Sequence, residues 1–219
     1  STRALSSAAS DVYKRQIIIG GGESYSVITV AEAACEVQKL YPSVRFRFFS
    51  GDSGDILEKL EKGLIDFGIV VYFSDLEKYN SLRLPLVDEW GVLMRKDSPL
   101  AHKSVITKED LYDKPLICSI QSMKKGSRLN SWLGENNVDF NVNVKYNLIY
   151  NASLAVKAGM GYALGLNNII NTTGESELCF RPLYPALHTH LDIIWKKYSV
   201  FSRPAQIFLD RLKKVISGN

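Results

Sequence analysis

The chain has few of the residues that build metal sites, disulfide frameworks and catalytic centres. Its 219 residues include three cysteines and three histidines. Cys35, Cys118 and Cys179 are an odd number, lie far apart and form no C-x-x-C motif, which argues against a disulfide scaffold and a zinc site. His188 and His190 are two residues apart, with no third ligand at a metal-binding spacing. We therefore expect three free cysteines, no metal and no cofactor. Cys35 falls in a predicted helix and Cys118 in an apolar strand pattern, where free cysteine is expected to behave as a small buried hydrophobe.

Long apolar runs and an excess of one charge are also missing. No run approaches the roughly 20 residues that span a bilayer, which argues against a membrane segment. The net charge of +4, from 27 basic and 23 acidic residues, is mild. The basic residues are scattered, a pattern typical of solvated faces and not of a nucleic-acid surface. We expect these residues alone to bind DNA weakly and without sequence preference.

Catalytic motifs are absent as well. Gly20-Gly21-Gly22 follows a predicted strand, but its surroundings lack the spacing of a dinucleotide fingerprint, and no G-x-x-x-x-G-K-[ST] loop is present. The G-D-S-G-D segment at residues 51–55 resembles fragments of serine protease signatures. A serine nucleophile needs a base within hydrogen-bond reach, and the histidines do not follow in a matching order. The sequence therefore predicts no enzyme.

The most informative segment present is Tyr41–Val71. Val44, Phe46 and Phe48 alternate with arginines, which predicts a half-exposed strand. A polar turn follows, and then an amphipathic helix that we expect Gly63 to end, because glycine adopts left-handed geometry without penalty. The apolar run from Ile65 to Val71 predicts a strand buried on both faces.

Strands and helices alternate along the rest of the chain, which favours an α/β fold. Residues 28–40 predict a helix that ends at Tyr41-Pro42, because the residue before proline avoids helical geometry. Residues 204–216 predict a second amphipathic helix. With 46% hydrophobic residues, the chain can bury one large core or two small ones.

Seven short pieces, in order from Ile17 to the C-terminal helix, resemble the effector-binding domain of LysR-type transcriptional regulators. They are IIIGGG, YPSV, SGDSGDILEKLEKGLIDFGIV, LVDEWGVLMRKDSPLA, KPLICSIQS, VKYNLIYNASLAVKAGMGYALGL and LDIIWKK. The spacing of G-x-x-D-F-G-I with A-G-M-G-Y-A-L carries most of the resemblance. The chain departs from the family pattern at Gly165-Leu166, where Leu-Pro is usual, and at Leu148, where a small hydroxyl residue is common.

The resemblance implies an α/β, two-lobed, type 2 periplasmic-binding-protein-like fold with two mixed sheets flanked by helices. Residues 17–90 and 191–219 would form lobe I, and residues 91–190 would form lobe II. The strand RLPLV would finish lobe I, and after a crossing near Trp90 a new strand at Val92–Arg95 would start lobe II. A second crossing is expected near His190, and the two crossings would act as a hinge. Residues 1–16 lack the family pattern and are expected to be a mobile tail or linker remnant.

The effector site is expected between the lobes, outside the carboxyl ends of the strands, where open α/β sheets receive ligands. Four segments supply its candidate residues. They are Glu23, Ser24 and Tyr25; Gly51, Asp52 and Ser53; Ser119 and Gln121; and Asn147 and Asn151. Capping or turn formation alone explains Glu23, Ser24 and the 50–53 turn equally well. One of the two asparagines would cap the helix that follows them.

The effector implied is a small polar molecule, either an organic acid or an amino acid. Helix N-termini attract a carboxylate, and Glu23 and Asp52 could hold an ammonium group, so a zwitterion satisfies both signs. The resemblance further implies a cytoplasmic bacterial regulator that forms a homodimer or tetramer through lobe I to lobe II contacts. DNA would be bound only through an N-terminal winged helix-turn-helix that does not precede Ile17, so we expect a fragment. Alternatives are an extracytoplasmic solute-binding protein of the same fold and an enzyme built on it.

Overall fold

A computed structural model describes residues 16–71, 77–134 and 140–218 of the chain. Contacts divide these residues into two compact units. The first unit contains residues 16–22, 26–86 and 190–218, and the second contains residues 23–25 and 87–189. None of the helices in the described ranges is long and apolar enough to cross a membrane. The lobe boundaries given above remain predictions, and the expected tail of residues 1–16 lies almost wholly outside the described residues.

Nine strands and five α-helices alternate along the described chain. In order they are β1 Gln16–Gly21, α1 Val27–Leu40, β2 Arg45–Ser50, α2 Ser53–Glu61, β3 Phe67–Val71, β4 Tyr79–Arg95, β5 Pro115–Ser119, α3 Arg128–Leu133, β6 Asn141–Tyr146, α4 Ile149–Lys157, β7 Tyr162–Leu166, β8 Leu178–Pro182, β9 His188–Lys196 and α5 Arg203–Ser217. Two short 3-10 helices, Pro99–His102 and Glu109–Leu111, lie between β4 and β5.

The strands of the first unit follow the order β2, β1, β3, β9, β4. β1 is parallel to β2 and β3, while β9 is antiparallel to β3. Its core joins the sheet to α1 and α5. The Phe67 ring lies 5.2 Å from the Phe208 ring and 5.1 Å from the Phe201 ring. The apolar run after Gly63 is therefore a central strand, as predicted, with Phe67, Ile69 and Val70 buried.

The helix boundaries of this unit follow from local chemistry. Asp52 caps α2, because its carboxylate accepts hydrogen bonds from the backbone N–H groups of Gly54 and Asp55. Gly63 adopts a φ of 67° just after α2, and the Leu64 N–H returns to the Lys59 carbonyl at 2.9 Å. The predicted end of α2 is confirmed, as are the predicted helices at residues 28–40 and 204–216 to within a residue at each end.

Three local predictions are wrong. The expected alternation of β2 breaks at Phe48, which is 50% exposed, because Phe49 instead packs against the cluster around Ile56. The chain does not start a new strand after Trp90; β4 is one strand of 17 residues that continues from the first unit into the second. Cys35 does not behave as a buried hydrophobe, because it lies on the exposed face of α1.

The second unit is a mixed sheet in which β5 lies between two parallel neighbours, β6 and β7. The C-terminal part of β4 is antiparallel to β7 on one side and to β8 on the other. Leu116, Ile117 and Cys118 of β5 are fully buried. α4 packs against β6 and β7 and follows directly after the end of β6. The carboxyl ends of β5 and β6 therefore lie beside the first residues of α4.

Candidate functional site

The segment Glu23–Tyr25 connects β1 to α1 and is counted with the second unit. The Ser24 hydroxyl donates a hydrogen bond to the carboxylate of Asp88 in β4, at 2.6 Å. Asp88 is buried, whereas the Tyr25 side chain is 51% exposed. The alternative explanation of Glu23 and Ser24 as caps of α1 is wrong, because that helix begins at Val27, with Ser26 at its N-cap position. Their side chains instead bind partners elsewhere in the second unit.

The start of α4 is capped by a residue distant in sequence. Leu148 occupies the N-cap position and has no side chain that could accept a hydrogen bond from the helix. The backbone N–H of Ile149 donates to the Glu23 carboxylate, at 2.5 Å. The prediction that Asn147 or Asn151 caps this helix is wrong. Asn147 accepts a hydrogen bond from the Leu148 N–H at 3.0 Å, and Asn151 lies inside the helix on its exposed face.

Tyr146, the last residue of β6, lies beside the same group. Its hydroxyl donates to the backbone carbonyl of Leu164 in β7, at 2.7 Å. Burial raises the pKa of Tyr146, with smaller contributions from the nearby Cys118 and Glu23. The tyrosine therefore keeps its proton, and that proton is used in a hydrogen bond to the sheet. No sequence pattern indicated this contact, because a tyrosine at a strand end is unremarkable.

Ser119 and Gln121 lie at the carboxyl end of β5, next to Tyr146. Ser119 pairs with Tyr146 in the parallel register, and the Ile120 N–H donates to the Tyr146 carbonyl at 2.9 Å. Both side chains are half-buried. Within the described ranges, neither side chain is hydrogen-bonded, so each retains its capacity to donate and to accept.

The third predicted segment belongs to the first unit. The Gly51 N–H donates to the Gly21 carbonyl at 3.1 Å, which ties the turn to the end of β1. Asp52 uses its carboxylate as the N-cap of α2, and Ser53 is the first residue of that helix. Capping and turn formation therefore account for this segment. A role of Gly51, Asp52 and Ser53 in effector binding stays a prediction.

Within the second unit, the structure brings together a group that we call the β5–α4 cluster. It consists of Glu23, Ser24, Asp88, Ser119, Gln121, Tyr146 and Ile149. Sequence reasoning missed Asp88, Tyr146 and the Ile149 amide. Asp88 gave no local signal, because its partner Ser24 lies 64 residues away in sequence.

Two concave regions lie within single units, and neither includes a predicted site residue. In the second unit, a small cavity of about 10 Å³ lies beside the start of α4 and is lined by Ile149, Gly165 and Phe180 among others. In the first unit, an open groove of about 530 Å³ carries Lys78, Lys196 and other charged residues. The candidate site is therefore defined by its hydrogen-bonding groups.

Metal and thiol chemistry have little support in the part of the chain that the structure describes. No group of three or more histidine, cysteine or acidic side chains could hold a metal ion there. All three cysteines are free. Burial raises the pKa of Cys118 to about 12, so this thiol stays neutral and unreactive at physiological pH.

Comparison with known families gives one match that covers nearly the whole chain. Residues 11–217 match the family model of the LysR substrate binding domain. An HTH-type transcriptional regulator of Bacillus subtilis, YvbU, is 31% identical over 101 residues, which are 46% of this chain and 34% of that protein. The match thus spans about a third of the length of this curated relative.

Solved structures share the fold. The regulatory domain of CcmR from Synechocystis, solved in complex with 2-PG, superimposes with a TM-score of 0.75 at 20% identity, over 92% of this chain and 97% of that one. The effector-binding domain of QuiR, solved in complex with shikimate, superimposes with a TM-score of 0.76 at 18% identity, over 93% of this chain and 98% of that one. The reduced OxyR regulatory domain from Pseudomonas aeruginosa superimposes with a TM-score of 0.70 at 16% identity, over 90% of this chain and 97% of that one. The expected type 2 periplasmic-binding-protein-like fold is confirmed.

Proposed function

Because the chain belongs to the LysR substrate binding domain family, we propose that it senses a small polar effector, an organic acid or an amino acid, for a transcription regulator. The family consists of regulator domains and not of enzymes. The β5–α4 cluster is the observation that carries the proposal. In it, Ser119 and Gln121 offer unengaged donors and acceptors at the carboxyl end of β5, next to Tyr146.

Two observations support an effector of this kind. The CcmR and QuiR domains, which share the fold, were solved with the ligands 2-PG and shikimate. In this chain the cluster lies at the carboxyl ends of β5 and β6, and ligands of open α/β sheets bind outside the carboxyl ends of strands. A polar ligand of the size of 2-PG or shikimate needs a few well-placed hydrogen-bonding groups to fix its orientation, and Ser119 and Gln121 are suited to that role.

Effector binding would control transcription through a shift between conformations. A ligand that binds one arrangement of the chain more tightly raises the population of that arrangement, by its differential affinity alone. LysR-type regulators act as oligomers that bind DNA. In a full-length protein, the shift would reach a DNA-binding domain through the oligomer, so that the effector never touches DNA.

Exposed apolar side chains in each unit support self-association. The first unit exposes Ile28 and Leu40 on α1 and Phe48 on β2. The second unit exposes Tyr150 and Leu154, which lie four residues apart on α4 and share one face of that helix. Exposed groups of large apolar side chains mark interaction surfaces. We propose that a second copy of the chain covers them.

Calorimetry tests the proposal. A panel of amino acids and small organic acids would be titrated into the wild-type chain and into Ser119→Ala. Removal of one hydroxyl contact should weaken binding by up to about tenfold. Ser104→Ala is the matched control, because Ser104 is exposed and lies in the same unit, away from the cluster. A bound effector whose affinity Ser119→Ala leaves unchanged would contradict the assigned site, and a panel in which nothing binds would contradict the assigned effector class.

A further inference from the structure

Three hydrogen-bond donors of the β5–α4 cluster are each already used within the chain. The Ser24 hydroxyl donates to the Asp88 carboxylate at 2.6 Å. The Tyr146 hydroxyl donates to the Leu164 carbonyl at 2.7 Å. The Ile149 N–H donates to the Glu23 carboxylate at 2.5 Å. A carboxylate ligand needs donors, and these three already have acceptors.

Glu23 holds a position that suits an anion from solution. The first backbone N–H groups of a helix have no partner in the helix, and the helix dipole places positive potential there. A small side chain at the N-cap position usually satisfies one of them, but Leu148 cannot. Glu23, 126 residues away in sequence, supplies the missing acceptor, and it adds a full negative charge.

The start of α4 therefore already has a negatively charged acceptor. Glu23 brings that charge, while the side chains of Ser119 and Gln121 can donate as well as accept. A ligand that brings its own donors, such as an amine, is complementary to this balance. A ligand that brings a carboxylate to the start of α4 meets an occupied donor and a like charge.

We propose that Glu23 is a specificity-determining residue, an internal carboxylate that excludes the carboxylate of an effector from the start of α4. The effector then presents an amine or another donor to the cluster, which favours the amino acid over the simple organic acid. This inference rests on the proposed function, since it names the class of effector that the same site accepts.

Acetate is the probe, because it carries a carboxylate and little else. The backbone amide of Ile149 would be followed by ¹⁵N NMR while acetate is titrated into the 219-residue chain at constant pH and ionic strength. In Glu23→Ala, acetate should replace the lost side chain and shift the Ile149 amide with saturation. Its affinity there should be about tenfold or more above that of the wild type.

Two further variants sharpen the measurement. Glu23→Gln keeps the length of the side chain and a carbonyl acceptor but removes the charge, so its acetate affinity should lie between those of wild type and Glu23→Ala. Glu175→Ala removes an exposed carboxylate of the same unit and should behave as the wild type. If Glu23→Ala does not fold, Glu23→Gln alone decides, and no gain over the wild type overturns the proposal.

The remaining outcomes distinguish a failure of the proposed role of Glu23 from a failure of the proposed function. Equal acetate affinity in all variants, or an Ile149 amide that does not respond in Glu23→Ala, overturns the role of Glu23. The proposed function is tested on the wild-type chain with the effector panel, without acetate. If a compound of the panel binds the wild-type chain but acetate affinity does not rise in Glu23→Ala, only the role of Glu23 is contradicted. If acetate affinity rises in Glu23→Ala but no compound of the panel binds, only the effector class is contradicted.

Discussion

Gly91 in β4 offers the sharpest test of how the second unit is built. A Cβ at this position would lie 2.2 Å from Cζ of Phe180 and 2.4 Å from the carbonyl oxygen of Arg181. The Phe180 ring can turn, but the Arg181 carbonyl belongs to β8, which pairs with β4 next to Gly91. On its other side Gly91 faces Gly165 of β7. The added methyl group therefore cannot be accommodated unless the backbone of β8 moves.

The cost of Gly91→Ala follows from that geometry. Forcing a methyl group into a packed core costs about 1 to 3 kcal/mol, and a clash with backbone places this case at the upper end. The lower entropy of the unfolded chain offsets about 0.4 to 1 kcal/mol. The net loss of about 2 kcal/mol should lower the melting temperature by roughly 4 to 8 °C for a chain of this length.

Calorimetry and urea denaturation would measure the loss, with Gly22→Ala as the matched control. A Cβ at Gly22 meets no atom within 4 Å, and Gly22 does not have a positive φ. The control should therefore change the free energy of unfolding by less than about 0.5 kcal/mol. Equal stability of Gly91→Ala and Gly22→Ala would refute the described packing of β4 against β8, and with it the position of Asp88 three residues earlier on the same strand.

Three other predictions test separate parts of the molecule. Asp52→Ala should lower the free energy of unfolding by about 1 kcal/mol through loss of the α2 cap, while Asp52→Asn should be nearly neutral in the same urea titration. At pH 8, a thiol reagent should label Cys35 quickly in the folded chain and the buried Cys118 only on unfolding, because burial raises the pKa of Cys118 to about 12. Fast labelling that persists in the Cys35→Ser variant would contradict this. Phe48→Lys should shift sedimentation at roughly tens of micromolar toward the monomer, whereas the control Val200→Lys, at a fully exposed position, should not.

The parts of the fold that local chemistry determines were predictable from the sequence. The end of α2 at Gly63 needs only a left-handed residue, and α5 needs only its amphipathic spacing and the Ser202 cap. The two-residue period did not predict which side chains of β2 are buried, because packing against the rest of the unit decides this. Phe48 and Phe49 are adjacent and similar, yet it is Phe49 that packs against the cluster containing Ile56 while Phe48 stays exposed.

The predictions for the site failed where partners are far apart in sequence. The Ile149 amide and Glu23 are 126 residues apart, and Ser24 and Asp88 are 64 apart. No local pattern links such pairs, so the sequence indicated segments and not contacts. The continuity of β4 was hidden for a different reason. Asp88 and Gly91 resemble a break in a strand, although one carboxylate is buried with a partner and the glycine is needed for close packing.

A small polar effector should bind at the β5–α4 cluster. The most direct measurement is a ¹⁵N NMR perturbation map of the chain with the tightest compound found by calorimetry. We expect the largest shifts on the backbone amides of Ser24, Ser119, Ile120 and Ile149, and we expect Ser119→Ala to reduce them at equal ligand concentration. Shifts confined to the lysine-lined groove around Lys196, with these four amides unchanged, would contradict it.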